Sequence, residues 1–185
     1  MEFTLRVEGD TLKEKQDFLF DVIKRYDHYI GTTNFKVGLM MSFLVTIILG
    51  LTIRLMSLNI TCGVCDVLYY LLVTSTLLTI TFSLISIINL FRAVFPNTRN
   101  IGGEKSLIFF GDVANSSDGG QGYFNSIKVA NPEKLLKDLS TQTYNVACIV
   151  DEKFRVLKIA VNIILYAVIP LLALTLIFLI LYGIK

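Results

Sequence analysis

The chain of 185 residues has no tryptophan, a single histidine, three prolines and three cysteines. Three cysteines are too few for a disulfide-built secreted miniprotein, and one histidine is too few for a histidine-rich metal centre. Charge is scarce as well. Charged residues make up 17% of the chain, where an ordinary soluble domain has about 25%. Apolar residues make up 54%, and mean hydropathy is +0.64. The deficit is concentrated in three runs that hold no charged side chain: Val37–Ile53 (17 residues), Val67–Phe91 (25) and Ile159–Ile184 (26). A spanning helix needs roughly 17–25 apolar residues, so each run is long enough. A wholly soluble enzyme and a disordered tail are thereby excluded. The expectation is an all-α membrane protein with three transmembrane helices.

Those runs also lack Asp, Glu, Lys, Arg and His. Proton-coupled transporters and intramembrane proteases need ionisable groups at depth, and three spans offer no inverted repeat. The first run is no secretory signal, because seven acidic and six basic residues precede Val37, far from the short basic start of such a peptide. The amino terminus is therefore expected to stay on the chain, with no lipidation motif after the first Met.

Positive charge sets the orientation. Six Lys or Arg residues precede the first run and nine stand between the second and third, against Arg54 in the short connection and Lys185 at the end. The amino terminus and central segment are expected inside a bacterial inner membrane, with the carboxyl terminus outside. The division is then 1–36 inside, 37–91 a hairpin of two spans with an outer loop of about 54–66, 92–158 inside, and 159–185 the third span. Cys62 and Cys65 form a C-x-x-C in that outer loop and are a possible disulfide in an oxidising compartment. A zinc site would need two more ligands, and His28 lies on the other side.

The inner portions read mostly as helix. Phe3, Leu5 and Val7 alternate as in a short strand. Thr11 and Glu14 then have the spacing of a capping box, and an amphipathic helix follows to about Tyr29, with Gly31 loosening its junction to the first span. Pro96–Gly103 reads as loop, Leu107–Phe110 as a second short strand, and Asn115–Gly122 as a flexible turn. Asn131-Pro132-Glu133 starts a helix, and no breaker follows until Pro170. Pro132–Leu181 thus reads as one long helix continuous with the last span, with a kink at Pro170. Its apolar stripe outside the bilayer needs cover, which copies of the chain would supply as a homo-oligomer, a tetramer being one option.

The second run is rich in hydroxyls. Ser75, Thr79, Ser83 and Ser86 fall on one helical face and are pore-lining candidates. Equally, such hydroxyls return hydrogen bonds to their own helix and pack against neighbours. Gly38, Ser42, Thr46 and Gly50 form a small-residue stripe in the first run that suits close helix packing. Nothing catalytic emerges, since Gly119-Gly120-Gln121-Gly122 lacks the Lys and helix of a phosphate loop, and Asp112 reads as a cap or a ligand. Neither an enzyme nor a cofactor is expected. Basic residues flank the spans: Lys24, Arg25, Lys36, Arg92, Arg99, Lys153, Arg155 and Lys158. They serve orientation and lipid headgroups or, gathered in an oligomer, bind an anionic ligand such as a nucleotide.

Several pieces taken together have a family likeness. They are the entry Thr33-Asn34-Phe35-Lys36, the stretch Phe109-Phe110-Gly111-Asp112, Tyr123-Phe124, Gln142 with Asn145, and Lys153-Phe154 with Leu157 leading into the last span. The pattern resembles the transmembrane effector family of bacterial Pycsar anti-phage defence. One departure is visible, since the family often has Asp where this chain has Asn34. The resemblance implies a membrane effector that answers a nucleotide signal from a partner cyclase or nucleotidyltransferase and compromises the inner membrane. Similar membrane partners in Hailong-type defence imply that a short single-stranded DNA oligomer is an alternative ligand. A reading of a different class is a passive scaffold that recruits a soluble partner. The charge asymmetry makes its own prediction. A fluorescent protein fused ahead of Met1 should fluoresce and alkaline phosphatase fused after Lys185 should be active; the opposite pair of signals would invert the topology.

Overall fold

The computed structural model describes residues 2–58, 67–95 and 105–184, and every regular element among them is helical. Helix α1 is Glu2–Met56, α2 Val67–Val94, α3 Phe110–Ala114, α4 Gly119–Val129, α5 Pro132–Ile163 and α6 Ile169–Ile184, with a π turn at Ile164–Val168 joining the last two. Three of these stretches are long and apolar enough to cross a membrane. The all-α membrane fold with three spans is what the charge-free runs require.

Several local expectations change. Phe3, Leu5 and Val7 lie in the first turns of α1 and not in a strand. A strand must borrow half its backbone partners from a neighbour, and no strand exists among the described residues, whereas a helix closes its hydrogen bonds locally. Thr11 and Glu14 consequently sit inside α1, which also runs through Gly31 without a break. Leu107–Phe110 is likewise no strand but a bend leading into α3. The turn expected over Asn115–Gly122 ends early, because α4 begins at Gly119. Asp118 and Gly119 both have positive φ, 63° and 60°, the left-handed geometry that glycine takes at least cost. At Gly122 a Cβ would overlap the carbonyl oxygen of Ser117, so only glycine fits. Cys62, Cys65 and Arg99 lie outside the described residues.

The long helix has the expected start, with Asn131 Oδ1 accepting the Lys134 amide at 2.7 Å. Its course past Pro170 has a physical cause. Proline carries no N–H and its ring crowds the carbonyl four residues earlier. The turn just before it widens to π geometry, in which the Ile169 amide donates to the Ile164 carbonyl. The helix thereby passes the proline without ending.

The chain forms two compact units: Met1–Thr32 with Asn97–Asp151, and Thr33–Pro96 with Glu152–Lys185. The second is the membrane unit. Its core joins Val37 and Leu44 of α1, Leu90 of α2, and Ala160, Ile164 and Val168 of the third span. Within a bilayer such packing is held by close contact and interhelical hydrogen bonds more than by water exclusion.

A polar seam continues from this core. Ser75, Thr79, Ser83 and Ser86 are all buried, the last three completely. Thr79 meets Thr175 of α6 at 3.3 Å between hydroxyl oxygens, and Ser86 Oγ donates to the Ala160 carbonyl at 3.2 Å. Ser83 Oγ donates to the Thr79 carbonyl of its own helix at 2.8 Å. Small side chains on α2 thus let the third span approach closely. Ser83→Ala should hardly change thermal unfolding in detergent, because the lost bond is internal to α2. Ser83→Leu should destabilise by about 1–3 kcal/mol through overpacking. Equal melting of the two variants would contradict the seam.

Candidate functional site

Among the described charged residues of the membrane unit, Lys153 alone is buried. It lies on α5, six residues before the third apolar run, and is 4% exposed. Its Nζ donates to the Ala93 carbonyl at 2.9 Å, the Val94 carbonyl at 3.0 Å and Asn34 Oδ1 at 3.3 Å. An ammonium group has three N–H donors and no acceptor, so three acceptors satisfy it fully. Ala93 and Val94 close α2, where the final carbonyls have no intrahelical partner and the helix dipole favours a cation. Burial still disfavours the charge and holds the Lys153 pKa below its ordinary value. One side chain on α5 therefore ties together the end of α2 and the stretch of α1 that enters the membrane. Asn34, noted for its departure from the family pattern, is the α1 partner.

The remaining basic candidates are distributed on the surface. Lys36, Arg92, Arg155 and Lys158 are exposed. Arg155 makes two hydrogen bonds to the Glu152 carboxylate, of 2.7 and 2.8 Å, which chiefly hold that carboxyl below its usual pKa, with Arg92 adding attraction. Lys24 and Arg25 belong to the other unit and are also exposed, Lys24 facing Asp21 at 3.5 Å. Within the membrane unit Arg92 and Arg155 share Glu152, and Lys153 is buried on other partners.

In the polar unit, the stretch Phe109-Phe110-Gly111-Asp112 builds a braced loop. Asp112 Oδ2 accepts the Ser106 amide at 2.9 Å, so the carboxylate ties the preceding loop to the first turn of α3, whose N-cap position is Phe109. Ser106 Oγ accepts the Ile108 and Phe109 amides at 3.1 and 2.9 Å. A Cβ on Gly111 would come within 2.7 Å of the Phe109 ring, so a larger residue there would displace that ring. Leu107 is held at both backbone ends: its amide donates to Asp138 Oδ2 at 2.7 Å, and its carbonyl accepts from Tyr123 Oη at 2.9 Å. Gln142 is buried on α5, as are Thr143 and Asn145.

Leu107 also borders an open cleft of about 460 Å³, together with Lys105, Asn125, Ser126, Val129, Ala130 and Lys134. Both lysines are exposed, and with Asn125 and Ser126 they give the cleft cationic and hydrogen-bonding walls. Lys105 and Lys134 had entered the sequence reading only as orienting charges. They are far apart along the chain, and the loop that brings them together is braced by Asp138, a residue that no sequence pattern singles out. Among the described residues no group of His, Cys, Asp and Glu is placed to hold a metal ion.

Comparison with known proteins agrees with these motifs. A family model described as the Pycsar effector protein domain matches residues 18–181. The Pycsar effector protein EcPycTM of Escherichia coli is 27% identical over 169 residues, covering 84% of this chain and 86% of that protein. No solved structure matches the chain.

The brace yields a direct prediction. Asp138→Ala leaves the Leu107 amide without its partner and should lower stability by about 1–3 kcal/mol. Hydrogen exchange at residues 106–110 should rise with it; unchanged exchange there would show that the brace does not hold the loop.

Proposed function

The chain belongs to the Pycsar transmembrane effector family, and from that premise we propose that it is a homo-oligomeric pore of anti-phage defence, gated by a nucleotide. The signal comes from a partner cyclase or nucleotidyltransferase and is a cyclic nucleotide or a short single-stranded DNA oligomer. The pore compromises a bacterial inner membrane, with the amino terminus inside and the carboxyl terminus outside. One observation carries this reading. Helix α5 begins at the cationic cleft of the polar unit and continues without a break into the third span, which forms one side of the hydroxyl seam.

The cleft supplies what a phosphodiester needs. Two ammonium groups offer charge-assisted hydrogen bonds, and Asn125 and Ser126 add neutral ones. Lys24, Arg25, Lys36, Arg92, Arg155 and Lys158 are the other candidates for that contact. Ligand binding moves an equilibrium only through a difference in affinity between two arrangements, and α5 is the covalent link that would deliver such a difference to the membrane.

Copies of the chain are the natural complement of the third span. Asn162 and Tyr166 lie one turn apart within its apolar run, and both are exposed, Tyr166 at 80%. A carboxamide and a phenol facing hydrocarbon favour a polar partner, and the same face of a second copy offers both donors and acceptors. Ser75, Thr79, Ser83 and Ser86 are buried within the protomer. They would meet water only in an arrangement where the seam has parted.

Ion flux from liposomes holding the purified full-length chain tests the reading. Flux should appear on addition of one class from a panel of cyclic mononucleotides and short deoxyribonucleotide oligomers. Lys105→Ala with Lys134→Ala should raise the half-maximal ligand concentration roughly tenfold or more, as loss of charged hydrogen bonds implies. Flux under no condition would overturn the pore and leave the scaffold reading. An unchanged ligand response in the double variant would remove the cleft.

A further inference from the structure

We propose that Lys153 is a positioning residue, a latch that holds the membrane unit in its closed arrangement, and not a ligand contact. The inference deepens the pore reading and rests on it. The latch joins three chain segments through one ammonium group: α5 carries the lysine, α2 presents the Ala93 and Val94 carbonyls, and α1 presents Asn34. All three meet beside the first, second and third apolar runs, at the end from which α5 leads to the polar unit.

Geometry makes this contact all-or-none. Two of the acceptors are carbonyls in the last turn of α2, and the third is a side chain with two rotatable bonds. Lys153 is buried, so its ammonium is fully satisfied where it is and would be unpaired if α5 rotated or slid by a few ångströms. Displacement of α5 therefore exchanges three hydrogen bonds at once for hydration, and releases the end of α2 and the middle of α1 together. The neutral acceptor on α1 sets the strength. An amide at Asn34 gives Lys153 a hydrogen bond of 3.3 Å, whereas a carboxylate there would give it an ion pair. This chain accordingly carries a weak form of the latch.

Substitutions at the two partners should act in opposite directions on a quantity that needs no ligand. In liposomes without nucleotide, the full-length Lys153→Met variant should leak at least tenfold faster than the unsubstituted chain. Asn34→Asp should leak less than the unsubstituted chain and require more ligand to open. Combined with Lys153→Met, Asn34→Asp should lose its tightening effect, because the carboxylate then has no cation. Lys153→Arg, which keeps charge and donors, should restore most of the ligand-free closure.

Outcomes separate the latch from the pore. If the unsubstituted chain leaks on nucleotide addition while Lys153→Met shows no ligand-free leak, the latch is overturned and the pore stands. If Asn34→Asp, which adds no bulk and is expected to fold normally, leaks as the unsubstituted chain does and opens at the same nucleotide concentration, the latch is likewise overturned. If no variant and no condition produces flux, the pore reading fails first. In that event thermal unfolding decides the contact: a stabilising effect of Asn34→Asp that persists in the Lys153→Met background would show that Asn34 and Lys153 do not act as a pair.

Discussion

Inside a bilayer a polar group has no water to turn to, and this constraint governs the membrane unit down to single atoms. Thr79 donates to the Ser75 carbonyl and Ser83 to the Thr79 carbonyl of their own helix, while Ser86 finds its acceptor on the third span. The π turn ahead of Pro170 answers the same demand on the third span. Lys153 answers it at the membrane boundary, where the last carbonyls of α2 would otherwise end the helix unpaired. Each solution is local, and each leaves the helices able to pack closely.

A second consequence concerns how the two units communicate. Both α1 and α5 pass from one unit to the other along continuous helix. A helix of many turns resists bending and transmits rotation or translation along its axis better than a loop does. Under the proposed gating, α1 and α5 would be the two helical routes by which a signal enters the membrane unit, and Asn34 and Lys153 lie on those helices within that unit. The loop at Leu107 is braced on Asp138 and Tyr123, so under the same proposal a ligand in the cleft would meet a fixed wall beside the start of α5.

Much of the architecture was legible because it follows from what the chain lacks. Absence of charge over Val37–Ile53, Val67–Phe91 and Ile159–Ile184 marks three spans whatever the tertiary detail. Absence of a breaker between Pro132 and Pro170 marks the long helix. The strand expected at Phe3, Leu5 and Val7 shows where the reading exceeds its signal: three alternating residues fit either period when no partner strand fixes the choice. The hydroxyl face shows another limit. A helix face of Ser and Thr has the same spacing whether it meets water or a neighbouring helix, and only the third span's approach distinguishes the two. Lys153 is one of three basic residues in six positions, and although it belongs to the family likeness with Phe154 and Leu157, nothing in that likeness separates its role from those of Arg155 and Lys158. Burial does. The cleft was illegible for a plainer reason, since Lys105 and Lys134 become neighbours only through tertiary contacts of Leu107 with Tyr123 and Asp138.

The chemistry of the seam sets what parting its two helices would cost. Ser75, Thr76, Thr79, Ser83 and Thr175 each donate to a carbonyl of their own helix. Parting α2 from the third span would therefore orphan few polar groups: the contact between Thr79 and Thr175, and the bond from Ser86 to the Ala160 carbonyl. Interhelical hydrogen bonds of this type contribute only about 0.6 kcal/mol each on average. An apolar seam of interlocking leucines would lose far more contact on opening. A seam of small hydroxyl side chains is close-packed here and would tolerate water if it parted, so under the proposed gating contacts at its ends would matter more than its length. Lys153, whose ammonium group is satisfied by two carbonyls of α2 and the Asn34 side chain of α1, would be one such contact.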